Sequence, residues 1–446
     1  MRVRFWGTRG SVPTPGATTV RYGGNTSCVE VRAADGTLVV LDCGTGAIAL
    51  GRALLTENTG PIRGTLLIGH THWDHIQGFP FFAPLFVPGH HWEVYGPGGF
   101  GRQLERGLTG QMVYEHFPVS LQDLLAQVRI QHLTEGSFEV GSIRVTTQYL
   151  NHPVFTLGYR LEGDGVTLVY ATDFEPFSLY PLKAPAGTMP LHPEDQRHIQ
   201  FLAGADLVIH DAQYTLDDFP TKTGWGHMPM ERAVDCALLA QARRLVLFHH
   251  DPLRHDAAVE QLHERAQARA EAGGTGLQVD AAAEGQVIEL SHSPSRSPLA
   301  RSPEVSALRR HPSLRASTVL LAGAPTMVRL LEPALHAEGL HILTASDAEA
   351  ALQLARQAEP ALILLDLALP KRGGLVICRT LREETEPALR DVPIVLLMGR
   401  KYTERELRKA FAAGVTDCLT PVKPTLVRSR VCAWLLRNSV TSHSAE

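Results

Sequence analysis

Short apolar runs broken by glycine and proline fill the first 290 residues of the chain. Residues 2–6 alternate apolar and polar positions, the period of a half-buried strand. Residues 26–31 and 37–41 read as paired strands around the turn pair Asp35-Gly36. Further strands are expected at 64–68, 92–95, 127–132, 137–149, 157–162 and 166–171, the last two joined by Gly163-Asp164-Gly165. Helices are expected after Gly46 as far as Leu55, and over 101–110. Beyond residue 193 the pattern changes to alternation: 194–203, 229–242 and 256–272 as helices, 206–210 and 244–249 as strands between them. Periodicity by itself fixes only a mixed α/β class.

From Ser291 to Ser317 the apolar period disappears into serine, proline and arginine, the texture of a flexible basic linker. At Thr318 a strand–helix alternation restarts, with strands at 318–322, 341–344, 361–366, 393–397 and near 415–419. That is the pattern of a small doubly wound sheet. The expected division is therefore 1–290, linker 291–317, and a second domain 318–440.

Composition narrows the function classes. A length of 446 residues suits two to three domains, each large enough for its own core. A formal charge of −4 gives no global basic field, so general nucleic-acid binding is not favoured. The six cysteines, at 28, 43, 236, 378, 418 and 432, have no CxxC spacing, which points to reduced thiols. No apolar run reaches the ~18 residues a membrane span needs. A strand begins at once after Met1, with no signal-like apolar segment, so a soluble cytoplasmic protein is expected.

The densest chemistry lies in Ile68-Gly69-His70-Thr71-His72-Trp73-Asp74-His75-Ile76-Gln77-Gly78. Imidazole and carboxylate are ligands for divalent zinc or manganese. An apolar run ends where the histidines begin, so a strand delivers them into a loop. His70 and His72 can converge on one ion from an extended turn, and Asp74 and His75 can face a second.

His-Thr-His-Trp-Asp-His resembles the H-x-H-x-D-H signature of the metallo-β-lactamase superfamily. Further pieces follow in that superfamily's order: Asn151-His152-Pro153, Ala171-Thr172-Asp173, His210-Asp211-Ala212, Gly226-His227 and Phe248-His249-His250. Gly7-Thr8-Arg9-Gly10-Ser11 and Gly23-Gly24-Asn25-Thr26-Ser27 are similar to the branch containing ribonuclease Z and phosphoribosyl 1,2-cyclic phosphate phosphodiesterase. The resemblance implies an αβ/βα sandwich over residues 1 to about 290. It implies two divalent ions, zinc first and manganese second. His70, His72 and His152 would hold one ion, Asp74, His75 and His249 the other, and Asp173 would bridge them. A slip of one residue, to His250, stays open. Asp42 is expected either to support a ligand histidine or to cap the following helix. Phe79 to Phe86 either wall a pocket or pack beneath the metal loop.

The same resemblance makes Asp74, Asp211 and His227 the expected catalytic residues, Asp211 orienting a His227 that protonates a leaving oxygen. Capping of the next helix is the plainer role for His227. The expected substrate is a small cyclic or linear phosphodiester, because no lysine/arginine-rich glycine insertion is present to hold a folded RNA. A thioester, as in glyoxalase II relatives, is the alternative substrate. A signalling adaptor is the alternative role.

Pro360 to Leu375 resembles the phospho-acceptor segment of response-regulator receivers, with Asp366 on the acceptor position. The departures are specific. Leu321-Ala322-Gly323 stands where receivers carry a magnesium-holding acidic pair, and Met398 replaces a hydroxyl residue. Thr420-Pro421 lacks the expected lysine unless Lys423-Pro424 substitutes. The expectation is a degenerate receiver, a (βα)5 domain serving as a docking or homodimerisation surface for a protein partner, with Asp366 alternatively an ordinary buried aspartate.

Overall fold

A computed structural model describes residues 1–99, 103–177, 192–291, 317–370, 373–400, 403–420 and 422–441. The chain divides into two compact units, with the sequence boundary inside 292–316. The expected linker therefore lies, except for its two end residues, outside the described residues.

The first unit is built on two seven-stranded sheets. One runs Val287–Glu289, Arg2–Gly7, Cys28–Arg32, Leu38–Leu41, Arg63–Leu67, His91–Pro97, Gln127–Leu133 in spatial order. It is antiparallel as far as Leu38–Leu41 and parallel beyond. The other runs Gln278–Ala281, Arg244–Phe248, Leu207–Asp211, Val166–Ala171, Thr156–Gly163, Ile143–Leu150, Gly136–Val140. Its first four strands are parallel, the rest antiparallel.

Alternation along the strands separates the two faces of each sheet. Val3, Phe5, Val29, Leu41, Tyr159, Leu161, Tyr170 and Phe248 are fully buried. Phe5 of one sheet meets Phe248 of the other at a ring separation of 6.1 Å, and the Tyr159 hydroxyl donates to the Ile68 carbonyl across the layers at 2.6 Å. On the outer face of the first sheet, Ala47, Leu50 and Leu54 of the helix Gly46–Glu57 pack on Val40, Leu66 and Val94. Ala233, Val234 and Ala237 of the helix Met230–Leu239, with Leu262 and Ala266 of Asp256–Ala272, cover Val169, Val208 and Leu245 of the second. This is the αβ/βα sandwich. The inner parallel strand Leu207–Asp211 is buried on both faces throughout.

Local differences from expectation have physical causes. The single strand expected at 137–149 is a hairpin, because Gly141, at φ 53°, turns the chain between Gly136–Val140 and Ile143–Leu150. The metal loop contains a short helix, Trp73–Ile76, that an extended reading of alternating histidines misses. The edge strands Gln278–Ala281 and Val287–Glu289 are too short to announce themselves by periodicity.

The second unit is a five-stranded parallel sheet in the spatial order His341–Ala345, Thr318–Ala322, Leu362–Asp366, Ile394–Leu397, Asp417–Leu419. That is the doubly wound topology expected of a receiver. Asp366 ends the central strand, 6% exposed, and its Oδ1 accepts the Ala368 backbone N–H at 2.9 Å. Gly323 packs so closely that a Cβ there would sit 3.2 Å from that of Asp366. Met398 is buried after Leu397. Pro421 lies outside the described residues. Sequence gave no hint of the buried ion pair in this unit: Arg430 Nη1 and Trp434 Nε1 donate to Asp417 Oδ2 at 2.6 and 3.1 Å.

Candidate metal centre

Six strands end at one rim of the sandwich, and each delivers a polar residue. Leu38–Leu41 leads to Asp42, Arg63–Leu67 to His70, Ile143–Leu150 to His152, Val166–Ala171 to Asp173 and Arg244–Phe248 to His249, while Asp211 is the last residue of its own strand. The backbone must turn abruptly there. Asp42, Asp173 and His249 take positive φ, at 59°, 61° and 60°. Non-glycine residues in that region cluster at functional sites, where surrounding contacts hold them.

Asp173 lies at the centre of two clusters. Its Oδ1 is 3.7 Å from His70 Nε2 and 3.8 Å from His152 Nε2. His152 Nε2 is in turn 3.2 Å from His72 Nδ1. Its Oδ2 is 3.1 Å from His75 Nε2 and 3.5 Å from His249 Nε2. These two nitrogens are 3.2 and 3.0 Å from Asp74 Oδ2. One carboxylate oxygen thus faces a set of three histidines, and the other faces two histidines and an aspartate. The donor atoms of each set lie within 4.8 Å of one another.

The far nitrogens fix which ring atom points inward. His75 Nδ1 pairs with Asp42 Oδ2 at 2.7 Å, His152 Nδ1 with the Gly226 carbonyl at 2.9 Å, and His249 Nδ1 with Gln213 Oε1 at 3.0 Å. Asp42 and the Gly226 carbonyl can only accept, so Nδ1 of His75 and of His152 carries a proton and Nε2 points toward the cluster; the Gln213 amide, in the orientation it takes here, does the same for His249. Asp42 also accepts the Gly69 N–H at 2.6 Å and the Tyr170 hydroxyl at 2.6 Å. The N-cap position of the helix after it is Thr45, and the Asp42 carboxylate is taken up by His75, Gly69 and Tyr170.

The electrostatics suit a cation. Burial holds His70 and His152 well below the ordinary imidazole range, so both are neutral ligand-type bases. Burial also acts to lower His75, but Asp173, Asp74 and Asp42 outweigh it and hold its proton tightly. Burial acts to raise Asp74 and Asp173, and neighbouring histidines outweigh it, keeping both ionised. His70 Nε2 is buried with no hydrogen-bond partner, an arrangement that is unfavourable unless something else meets the lone pair. Three acidic groups around His75 and an orphaned imidazole nitrogen fit a site for divalent ions.

Beside the clusters, His227 Nδ1 pairs with Asp211 Oδ2 at 2.8 Å. Burial acts against the charged form of His227, but Asp211 overrides it and raises the group to about 9. The ring lies nearly parallel to that of His249, 5.0 Å away. The helix that follows has Pro229 at its cap position, so His227 does not cap it. His250 is elsewhere: its Nε2 donates to the Ala282 carbonyl at 2.9 Å, and its backbone ties Thr8 and Gly10 to this rim. Phe79, Phe82 and Leu85 are buried beneath the metal loop with Ile76, so that segment packs rather than walling a pocket. Asp366 belongs to the other unit, and among the described residues no group of three metal-type ligands includes it.

Some contributors carry no sequence signal. The Gly226 carbonyl is backbone, held at φ 90° with its N–H donated to Glu175 Oε2 at 2.8 Å. Gln213 is one amide among many. The Ser11 N–H donates to Asp74 Oδ2 at 2.7 Å from a residue 63 positions away.

Comparison with known proteins matches two families to this chain. Residues 37–250 match the model of the Beta-lactamase superfamily domain, and residues 322–431 that of the Response regulator receiver domain. Ribonuclease Z of Natronomonas pharaonis is 28% identical over 282 residues, 56% of this chain and 86% of that protein. The alkaline phosphatase synthesis transcriptional regulatory protein PhoP of Bacillus subtilis is 35% identical over 122 residues. That match takes in 27% of this chain, which spans 49% of PhoP's length. The crystal structure of the metallo-beta-lactamase fold protein YhfI from Bacillus subtilis aligns with a TM-score of 0.44 at 20% identity, over 64% of this chain and 98% of that one. The chain therefore joins a hydrolase domain of the metallo-β-lactamase superfamily, at residues 37–250, to a response-regulator receiver domain, at residues 322–431.

Proposed function

We propose that the first domain is a phosphodiesterase using two divalent metal ions, zinc before manganese, on a small cyclic or linear phosphodiester. The observation that carries this reading is the division of Asp173, one oxygen toward each cluster, beside a His227–Asp211 pair. His70, His72, His152 and Asp173 Oδ1 would hold one ion; Asp74, His75, His249 and Asp173 Oδ2 would hold the other. Two such ions, when bound, supply Lewis acidity that lowers the pKa of a water toward ~7 and neutralises charge on phosphoryl oxygens.

The protein's own groups do the rest. The inward nitrogens of His75 and His152 are fixed by their outer partners, so these two ligands need no reorganisation. Asp211 fixes His227 with Nδ1 occupied, leaving Nε2 as the nitrogen able to give a proton to a leaving oxygen. A thiolate leaving group needs no such proton, so the pair favours phosphodiester over thioester. The receiver domain would dock a protein partner or a second copy of the chain.

Metal analysis combined with a substrate panel tests this. The expected result is close to two ions per chain, with hydrolysis of bis(p-nitrophenyl) phosphate or a cyclic nucleotide lost on chelation. Metal-free protein indifferent to chelators would end the reading. Turnover of only a thioester, or only of a transfer-RNA precursor, would move the substrate to those classes.

A further inference from the structure

The three imidazoles with defined outer partners are not held in the same way. Asp42 is a carboxylate and the Gly226 carbonyl is backbone, and both can only accept. The Nδ1–H of His75 and of His152 is therefore locked in place. Gln213, the partner of His249, is an amide that carries an acceptor and a donor on one rotatable carbon. Turned one way, it accepts from Nδ1 and leaves Nε2 free to ligate. Turned the other way, it donates to Nδ1 and puts the proton on Nε2, where Asp74 Oδ2 at 3.0 Å can accept it.

The surroundings permit both settings. The far side of the amide meets the Ser11 hydroxyl, Nε2 to Oγ 3.2 Å, and a hydroxyl can either accept or donate. The Gln213 backbone is anchored independently, its N–H donating to Asp211 Oδ1 at 2.9 Å, so the side chain can flip without moving the chain. The imidazole itself has little freedom. A Cβ on Gly10 would fall 2.3 Å from its Cε1, and the ring lies within 23° of the planes of His75 and His227. The proton can move while the ring stays.

We propose that Gln213 is a positioning residue whose amide orientation sets the tautomer of His249, making the Asp74–His75–His249 half-site the weaker and exchangeable one of the two. This rests on the two-ion reading above. Without an ion, the flipped amide with Nε2–H donated to Asp74 is the competing state, and binding at that half-site must reverse it. The half-site of His70, His72 and His152 has no such competing state at His152, whose partner cannot donate.

Stepwise metal affinities, measured by chelator competition on the full chain, test the proposal. Gln213→Glu removes the donor face and locks His249 for ligation; the second ion should bind ~10-fold tighter and leave more slowly. Gln213→Met removes the acceptor; the second ion should weaken by ~10–100-fold, the usual effect of losing a ligand's outer partner, with the first unchanged. Nitrogen-15 shifts of His249 in metal-free protein should report mixed tautomers in wild type and Nδ1–H alone in Gln213→Glu. A single fixed tautomer in both proteins, or equal changes at both ions, would overturn the assignment. Wild type that binds no metal would instead overturn the two-ion reading, which keeps the two failures apart.

Discussion

Asp173 and Asp366 occupy equivalent places in their domains, each a buried carboxylate where a parallel strand reaches the rim of its sheet. Around Asp173 five imidazoles, those of His70, His75, His152, His227 and His249, lie within 3.8 Å of its oxygens. Around Asp366 stand a backbone N–H, the close face of Gly323, and the alanine and leucine of the neighbouring strand. Position alone does not make a site. What differs is the return of other strand ends to the same point with ionisable groups. The receiver fold brings strand ends together too, and here they carry Ala322, Gly323 and Met398. Chemistry that needs a metal and a cation to neutralise developing charge has nothing in those side chains to work with.

The contrast can be broken most decisively at Asp173. Asp173→Ala should abolish hydrolysis and lose both ions together, seen as metal content falling from close to two toward zero. Retention of one tight ion would mean the carboxylate does not bridge. Next in size is His227→Ala, which should reduce turnover of a poor leaving group by ~10²–10⁴-fold and of an activated nitrophenolate much less. Equal losses with the two would make His227 a structural residue.

Within the receiver the largest expected effect is on stability. Arg430→Met leaves the fully buried Asp417 without its cation and should destabilise the domain by ~3–5 kcal/mol. Calorimetry should show a lower transition for that domain while hydrolysis persists. Smallest is Asp366→Ala, which should leave hydrolase activity unchanged. Wild-type Asp366 should gain no phosphate from acetyl phosphate with magnesium. Stoichiometric, magnesium-dependent labelling would sharpen the comparison the other way, showing a working acceptor with a cation site drawn from other residues.

The ligand types could be read from sequence because histidine and aspartate are rare at such density, and their order along the chain matched a known succession. Their grouping needed more than density. That Asp173 Oδ1 and Oδ2 face different clusters depends on a positive φ two residues beyond a strand, which no local propensity announces. The choice between His249 and His250 turns on the same kind of bend, which sends one ring to the cluster and the other to the Ala282 carbonyl. The carbonyl of Gly226 was invisible because every residue has one. In the second domain the strands were legible from continuous apolar runs. The Asp417–Arg430 pair was not, since 13 residues and a helix entry separate its members.

The left-handed turn at His249 has a consequence for how this centre could be lost. A Cβ is disfavoured at φ 60°, though histidine tolerates the region better than most residues do. Glycine there would relax the backbone, reversing the usual ~0.5–1 kcal/mol advantage of alanine over glycine. In metal-free protein, His249→Gly should therefore melt above His249→Ala. Genetic drift that no longer feels catalysis, but still feels folding, has a downhill path at this residue. A descendant of this protein that kept the sandwich and abandoned the reaction would be recognisable by a glycine where the strand Arg244–Phe248 ends.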